Sequence, residues 1–245
     1  MQTNNQFFLE GTNGKAVMLM HGLTSGAAQM IPMAHYLNDY GYSVSCVNIA
    51  GHGTYPQDLL HTTAEDMFTK AEYDYLALKK IYEKVYVGGV STGGLLSLLL
   101  SSKYPEIAGF ISISAPLSLT PGSYISQPYP EGTVFIHRSL EGKTGLFKKY
   151  HIHYEQIPIC IFTVLDELMA KLSDKNLLEK IKCPGLVIQA YDDSIAIPES
   201  ASFILENIGS EKKESYRPET GEHLIILTEG RMEAFRHTVE FLERL

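Results

Sequence analysis

The sequence predicts an α/β fold with a mostly parallel central sheet flanked by helices. Short runs rich in Val and Ile, bounded by Gly or Pro, alternate with longer segments of helical period, as in parallel strands joined by crossover helices. Several of the short runs are apolar at every position, which is typical of strands buried on both faces. At 245 residues the chain suits a single domain around one core.

Five segments are predicted as strands of the central sheet. They comprise residues 16–20, 42–49, 85–90, 109–114 and 186–189. The third is followed by a leucine-rich helical segment, and the fifth ends in two carboxylates. The predicted order is therefore strand, helix, strand, helix, which leaves the carboxyl ends of the strands at one edge of the sheet.

Two amphipathic helices are predicted from apolar spacing. The first opens with Thr62 and Glu65 at the spacing of a capping box and places Phe68, Ala71, Tyr75, Leu78 and Tyr82 on one face. The second closes the chain and places Met232, Phe235, Val239 and Leu242 on its buried face.

The regular alternation of predicted strands and helices is interrupted between Pro116 and about Lys180. This stretch is rich in turn residues and then in aromatic and aliphatic residues, and it separates two predicted core strands. It is therefore predicted to be a cap, inserted at about residues 117–180 into a single domain of residues 1–245, that emerges at one end of the sheet.

Composition excludes several classes of function. A net charge of −8 without a basic stripe excludes nucleic acid as a partner. No apolar run approaches the length needed to cross a bilayer, and the first residues do not resemble a secretory signal. With three widely spaced cysteines, at positions 46, 160 and 183, the expected compartment is the cytoplasm and the expected thiols are reduced.

Ser91 is the candidate nucleophile because it is the centre of Gly89-Val90-Ser91-Thr92-Gly93. A G-x-S-x-G turn between a strand and a helix needs glycines, since the backbone crosses closely there. The pattern by itself is weak, and a glycine-rich turn whose serine merely caps the helix is the alternative. The preceding apolar strand and the following helix favour the nucleophile.

Backbone amides for an oxyanion are predicted at Leu23 and Thr92. Leu23 follows an apolar strand that ends in His21-Gly22, and Thr92 begins the helix after Ser91. Both N–H groups could stabilise a tetrahedral intermediate, and the helix dipole would assist. Without Ser91, His21-Gly22 would indicate only a turn at the end of a strand.

The acid and the base are predicted further along the chain. Asp192 and Asp193 end an apolar strand, and His223 lies on a loop before the last helix. The order of serine, aspartate and histidine distinguishes one family of serine hydrolases from others. The pair His151 and His153 has no carboxylate or thiolate at a metal-binding spacing, so neither a metal nor a cofactor is expected.

These residues together resemble the α/β-hydrolase family, in particular its small bacterial carboxylesterase and monoacylglycerol-lipase branch. The resemblance covers nearly the whole chain and includes Gly51-His52-Gly53 and the segment 189–201. It implies an α/β-hydrolase fold, and it favours Asp193 over Asp192 because Ala190, Pro198, Ser200 and Ala201 fit the family pattern. This chain carries Glu222 between Gly221 and His223, where the family commonly has Gly-His.

The resemblance implies a carboxylesterase that cleaves esters of short to medium acyl chains through an acyl-enzyme on Ser91. A monoacylglycerol lipase, a lysophospholipase or a thioesterase would use the same residues. A small-ligand binder on a hydrolase fold is the alternative outside enzymes. Neutral esters are expected, since the net negative charge offers anionic substrates no long-range attraction.

Overall fold

A computed structural model of the chain describes residues 5–139, 141–151 and 154–245. Its strands are β1 (Phe7–Leu9), β2 (Lys15–Met20), β3 (Ser43–Val47), β4 (Lys84–Val90), β5 (Gly109–Ile113), β6 (Phe135–His137), β7 (Gln156–Pro158), β8 (Gly185–Ile188) and β9 (Lys213–Tyr216). Within the described residues the main sheet has the order β1-β3-β2-β4-β5-β8-β9. Only β1 pairs antiparallel in it, so the predicted mostly parallel sheet is confirmed.

Helices cover both faces of this sheet. They are α1 (Ile31–Asp39), α2 (Ala64–Lys79), α3 (Thr92–Lys103), α4 (Gly145–Tyr150), α5 (Cys160–Leu172), α6 (Lys175–Glu179), α7 (Glu199–Asn207) and α8 (Arg231–Glu243). Along β2, Val17 and Leu19 join the core beneath α1 and α8, whereas Met18 and Met20 join the core beneath α2, α3 and α5. Because successive side chains of a strand point to opposite faces, one sheet contributes residues to a core on each side.

The five predicted strands all lie in this sheet, with ends that differ by no more than two residues. Strands β1 and β9, which form the two edges, were not predicted from the sequence. The four residues of β9 are exposed or half-buried, and β1 is only three residues long. An edge strand can be short and polar because it has one neighbour and a solvated side, so it lacks the apolar run that identified the others.

Two details of the predicted helices are wrong. The residue that caps α2 is Thr63, whose hydroxyl accepts from the Asp66 N–H while the Asp66 carboxylate accepts from the Thr63 N–H. In α8 the predicted core residue Met232 is 47% exposed, and Ala234, Thr238 and Phe241 are buried instead. The buried face of α8 is therefore turned away from Met232.

Between β5 and β8 lies a segment of residues 114–184, called here the β5–β8 segment. It contains the antiparallel pair β6 and β7 and the helices α4, α5 and α6. Helix α5 packs Ile161, Leu165 and Leu168 into the core on the α3 side of the sheet. His153 of the predicted His-x-His pair lies outside the described residues.

The parallel strands bring distant parts of the sequence to one edge. Met20 at the end of β2 pairs with Gly89 in β4, two residues before Ser91. Ile188 at the end of β8 pairs with Ile113, and the chain then continues to Asp193. No helix in the described part of the chain is long and apolar enough to cross a membrane.

Candidate active site

Ser91 occupies a sharp turn between β4 and α3. Its backbone has φ 55° and ψ −117°, a left-handed conformation that side chains rarely adopt. The Ser91 N–H donates to the Ile113 carbonyl at 2.8 Å and so ties the turn to β5. A Cβ on Gly93 would lie 2.2 Å from the Met20 carbonyl oxygen, and one on Gly89 2.5 Å from the same atom. Only glycine fits at both positions.

A cavity of about 130 Å³ opens over this turn. The residues that line it come from five places along the chain, namely the segment after β2, the Ser91 turn, the β5–β8 segment, the loop after β8 and the loop after β9. They are Gly22, Leu23, Gln29, Ser91, Tyr124, Ile125, Arg138, Lys143, Phe147, His151, Ser194, Ile195, Glu222, His223 and Leu224. Of the sequence-predicted site residues, Ser91, His223 and Leu23 therefore share one cavity.

His223 is bonded to Asp193, which is buried beneath it. The His223 Nδ1 lies 2.9 Å from each carboxylate oxygen of Asp193. The Asp193 side chain is fully buried, and His223 retains a small exposed surface toward the cavity. Because an ionised carboxylate only accepts hydrogen bonds, Nδ1 carries the proton and Nε2 offers its lone pair.

Three further donors hold the Asp193 carboxylate. Oδ1 accepts from the N–H groups of Ile195 at 2.8 Å and Ala196 at 2.9 Å, and Oδ2 accepts from the Gln189 amide at 2.7 Å. Burial alone would raise the pKa of Asp193. The hydrogen bond and charge of His223, together with the two backbone N–H groups, outweigh burial and place that pKa below its ordinary value. Asp193 is therefore anionic at neutral pH.

Asp192 has a different partner from Asp193. Its side chain is exposed and accepts the Glu222 N–H at 3.0 Å. Glu222, which stands between Gly221 and His223, has φ 51°. The loop thus holds Glu222 in a left-handed conformation, and Asp192 binds the backbone there.

The two predicted oxyanion donors flank Ser91. Thr92 is the first residue of α3, so its N–H has no partner within the helix. Leu23 lines the cavity, and its N–H makes no hydrogen bond among the described residues. The next residue, Thr24, has φ 60°, which turns the chain away from the sheet.

His21 is buried beneath this turn. Its Nδ1 donates to the Gly22 carbonyl at 2.7 Å, and its Nε2 accepts from the Ile49 N–H at 3.1 Å. Burial, with a smaller contribution from neighbouring His52, lowers the pKa of His21 to about 3. The ring is therefore neutral and serves as a structural link between the turn and the end of β3.

His52 links the same turn to a second loop. Its Nε2 accepts from the Thr24 N–H at 2.9 Å, and its Nδ1 donates to the Ala50 carbonyl at 2.9 Å. Burial lowers the pKa of His52 to about 4. With both ring nitrogens of each histidine engaged by backbone, neither His21 nor His52 is available as a base.

Gln29 connects the turn to the β5–β8 segment. Its Oε1 accepts from the Gly22 N–H at 2.8 Å, and its Nε2 lies 2.8 Å from the His151 Nδ1. Since the amide nitrogen donates, His151 Nδ1 accepts and the His151 proton resides on Nε2. Both side chains are buried and both line the cavity.

Sequence reasoning missed Gln29, Gln189 and Arg138 as residues of this region. Gln29 and Gln189 each stand in an otherwise apolar run, and a buried polar side chain needs a partner, so that contrast was the available signal. Of the apolar residues in the β5–β8 segment, Phe147 lines the cavity, whereas Phe162 packs against Tyr124 and Tyr129. Among the described residues, no three His, Cys, Asp or Glu side chains are grouped as a metal site.

Comparison with known proteins identifies relatives over the whole chain. Residues 11–142 match the family described as serine aminopeptidase, S33. A carboxylesterase of Bacillus subtilis (strain 168) is 30% identical over 236 residues, which cover 94% of this chain and 93% of the relative. A thermostable monoacylglycerol lipase of Bacillus sp. (strain H-257) is 29% identical over 231 residues, covering 93% and 90%.

The fold is shared with solved structures of lipolytic enzymes. One structure, from work on two metagenome-derived lipolytic enzymes, superposes with a TM-score of 0.86 at 23% identity and covers 99% of this chain and 98% of its own. The predicted α/β-hydrolase fold is confirmed by this likeness.

We predict that the two neutral histidines beneath the turn make stability sensitive to acid. An unfolded histidine takes up a proton near pH 6.5, whereas His52 in the folded protein resists protonation until about pH 4. The stability that His52 contributes is therefore complete above about pH 6.5 and is lost as pH falls toward the folded pKa. Between pH 6 and pH 5 the loss is about 1 kcal/mol per pH unit.

Urea unfolding at several pH values between 7 and 5 measures this loss. The His52→Gln protein should lose stability less steeply than the parent across that range. The exposed His61 provides the control, since His61→Gln should leave the slope unchanged. An equal slope in the parent and the His52→Gln protein would show that His52 is not held neutral.

Proposed function

The chain belongs to the serine aminopeptidase S33 family of α/β-hydrolases, and on that premise we propose that it is a carboxylesterase that acts through Ser91, Asp193 and His223. Ester hydrolysis agrees with the names of its two bacillary relatives. The observation that supports these residues most strongly is the His223 to Asp193 pair in the wall of the cavity that Ser91 also lines.

In the proposed reaction, His223 Nε2 removes the Ser91 proton as Oγ attacks the ester carbonyl. The carbonyl π electrons move to oxygen, and the N–H groups of Leu23 and Thr92 stabilise that oxyanion. Collapse of the intermediate breaks the ester bond, and the imidazolium gives its proton to the departing alcohol. Water, activated by the same histidine, then hydrolyses the acyl-enzyme.

Asp193 is proposed to orient His223 and to stabilise its cationic form. The carboxylate accepts from Nδ1, which fixes the tautomer that presents Nε2 to the serine. The other donors around Asp193 keep its carboxylate group in a fixed orientation while the imidazole gains and loses charge. The lowered pKa keeps Asp193 ionised through that cycle.

We propose further that the β5–β8 segment is a cap and shapes the substrate site. It contributes Tyr124, Ile125, Phe147 and His151 to the cavity. Ligand sites are typically concave and apolar with a few placed polar groups, and this wall combines both. Esters of short to medium acyl chains are the proposed substrates, and a monoacylglycerol remains a candidate because one relative is named as its lipase.

Replacement of Ser91 or His223 by alanine should lower turnover by about 10⁴-fold or more, since triad members act as one unit. Hydrolysis of p-nitrophenyl butanoate and labelling by a fluorophosphonate probe are the measurements. Ser102→Ala, in the helix that follows Ser91, and His61→Ala are the controls. Near-normal turnover in folded Ser91→Ala or His223→Ala protein would refute the proposed nucleophile or base.

The two adjacent aspartates should differ sharply. Asp193→Asn places an amide donor against the donors of Gln189 and His223, so the wrong histidine tautomer is favoured and kcat should fall by about 10⁴-fold. In Asp192→Asn, by contrast, the amide oxygen can still accept the Glu222 N–H, and the loss should stay below about tenfold. Steady-state measurement of kcat for the two variants tests this difference. A larger effect at Asp192 would transfer the role of the acid to it.

The acyl chain should contact Phe147. For p-nitrophenyl esters from acetate to palmitate, kcat/KM should rise over the short chains by up to about fourfold per buried methylene and then level off. Phe147→Ala should reduce that gain. Leu168→Ala, which opens the buried core under α5, should lower stability while preserving the profile. A profile that is insensitive to Phe147→Ala would remove this side chain from the acyl site.

A further inference from the structure

The wall of the Ser91 cavity carries an excess of positive charge. Its described lining includes two cations, Arg138 and Lys143, and one carboxylate, Glu222. The chain as a whole has the opposite balance, with 28 acidic and 20 basic residues. The side chains that line the cavity therefore carry one more cation than carboxylate, whereas the chain as a whole carries more carboxylates than cations.

Contacts within the described residues include two that hold Arg138 in the cavity wall. Its backbone N–H donates to the Glu155 carbonyl at 2.8 Å, just beyond the paired strands β6 and β7. Its guanidinium lies 3.8 Å from the centroid of the Tyr124 ring. Tyr124 in turn packs edge-on against buried Phe162, with ring centroids 6.0 Å apart. The cation therefore rests on an aromatic ring that is itself fixed to the core.

Lys143 is supported in a similar way. Its Nζ lies 4.8 Å from the centroid of the Phe147 ring, and the Phe147 and His151 ring centroids are 4.6 Å apart. His151 is bonded to Gln29, which holds the Gly22 N–H. Contacts thus run without a break from the ammonium group to the turn beside Ser91. Both cations use an aromatic face, an attraction that persists when substrate is absent.

The surrounding sequence is also rich in cations. Between Arg138 and Tyr150 the chain carries four cations, at positions 138, 143, 148 and 149, and one carboxylate, Glu141. At physiological ionic strength the field of exposed charges decays over about 8 Å. A ligand in the cavity is therefore influenced most by the charged side chains that line it, and less by the distributed net charge, which was the basis for expecting neutral esters.

We propose that the natural substrate is an ester that also bears an anionic group, a carboxylate or a phosphate, and that Arg138 and Lys143 bind this group while the ester carbonyl lies at Ser91. This inference rests on the proposed ester hydrolysis. Arg138 suits the role because the donors of a guanidinium lie in its plane, where they can bind two oxygens, while its face stacks on Tyr124. Lys143 adds a mobile point charge.

A matched pair of esters tests the proposal. Mono-p-nitrophenyl glutarate and p-nitrophenyl pentanoate share the leaving group and a five-carbon acyl chain, and only the former ends in a carboxylate. The ratio of their kcat/KM values should exceed 10 in the parent protein and fall at least tenfold in Arg138→Gln and in the double variant Arg138→Gln, Lys143→Gln. The change should appear mainly in KM, and added salt should reduce the ratio.

Lys148→Gln and Lys149→Gln are the matched controls. Both lysines lie in α4 and neither lines the cavity. Their ratios should stay within twofold of the parent. An equal fall in these controls would indicate a general field instead of a binding site, and an unchanged ratio in Arg138→Gln would overturn the proposal. Butanoyl glycerol phosphate against monobutyrin distinguishes phosphate from carboxylate as the preferred anion.

Binding without turnover separates this inference from the proposed function. Calorimetric titration of Ser91→Ala protein should show monomethyl glutarate binding at least tenfold more tightly than methyl pentanoate, and Arg138→Gln should abolish the difference. Hydrolysis of the neutral ester without any preference for the charged one would refute the anion site alone. Binding of the anion by a protein that cleaves neither ester would refute the esterase and retain the site.

Discussion

The close crossing between the end of β2 and the Ser91 turn is the constraint on which the site depends. Because a Cβ at Gly93 would lie 2.2 Å from the Met20 carbonyl oxygen, two glycines are needed to bring these segments together. The crossing forces Ser91 into its left-handed conformation at the start of α3. It also makes the residues after Met20 leave the sheet beside the serine, so the same contact places both the hydroxyl and the turn that contains Leu23.

Neutral polar side chains then fix the loops around that crossing. His21, His52 and Gln29 each use backbone donors or acceptors of the turn that follows β2. Burial that lowers a histidine pKa makes the ring a reliable neutral link, because it cannot gain a proton that would remove its acceptor. Among the buried residues that the structure describes, Asp193 is the only carboxylate, and four donors satisfy its charge. A preorganised polar environment of this kind needs little rearrangement when charge develops.

The features that could be predicted from the sequence are those encoded by short-range residue patterns and by the order of the elements along the chain. Strands buried on both faces show as apolar runs, and parallel strands require Ser91, Asp193 and His223 to meet at one edge. Gln29 could not be placed because its partners are 7 and 122 residues away. The cap of α2 was shifted by one because Thr62 and Thr63 both precede an acidic residue at the same spacing, and only the backbone geometry selects Thr63. The orientation of α8 likewise depends on its partners in three dimensions.

The roles proposed for the site residues fall in two separate parts of the chain, one for the chemical step and one for substrate selectivity. Ser91, Asp193 and His223 follow strands of the main sheet or loops tied to them, so their positions are set by the sheet register. The side chains of Arg138, Lys143 and Phe147 all come from the β5–β8 segment, whose own sheet is the short pair β6 and β7. Substitutions there can alter the charge and depth of the cavity without moving the strand ends. Two hydrogen bonds among the described residues join the segment directly to the turn beside Ser91. Gln29 bonds to His151, and the Tyr154 N–H donates to the Thr24 carbonyl at 3.2 Å. Through these bonds, the packing of the segment can influence the proposed oxyanion donors as well as the fit of the substrate.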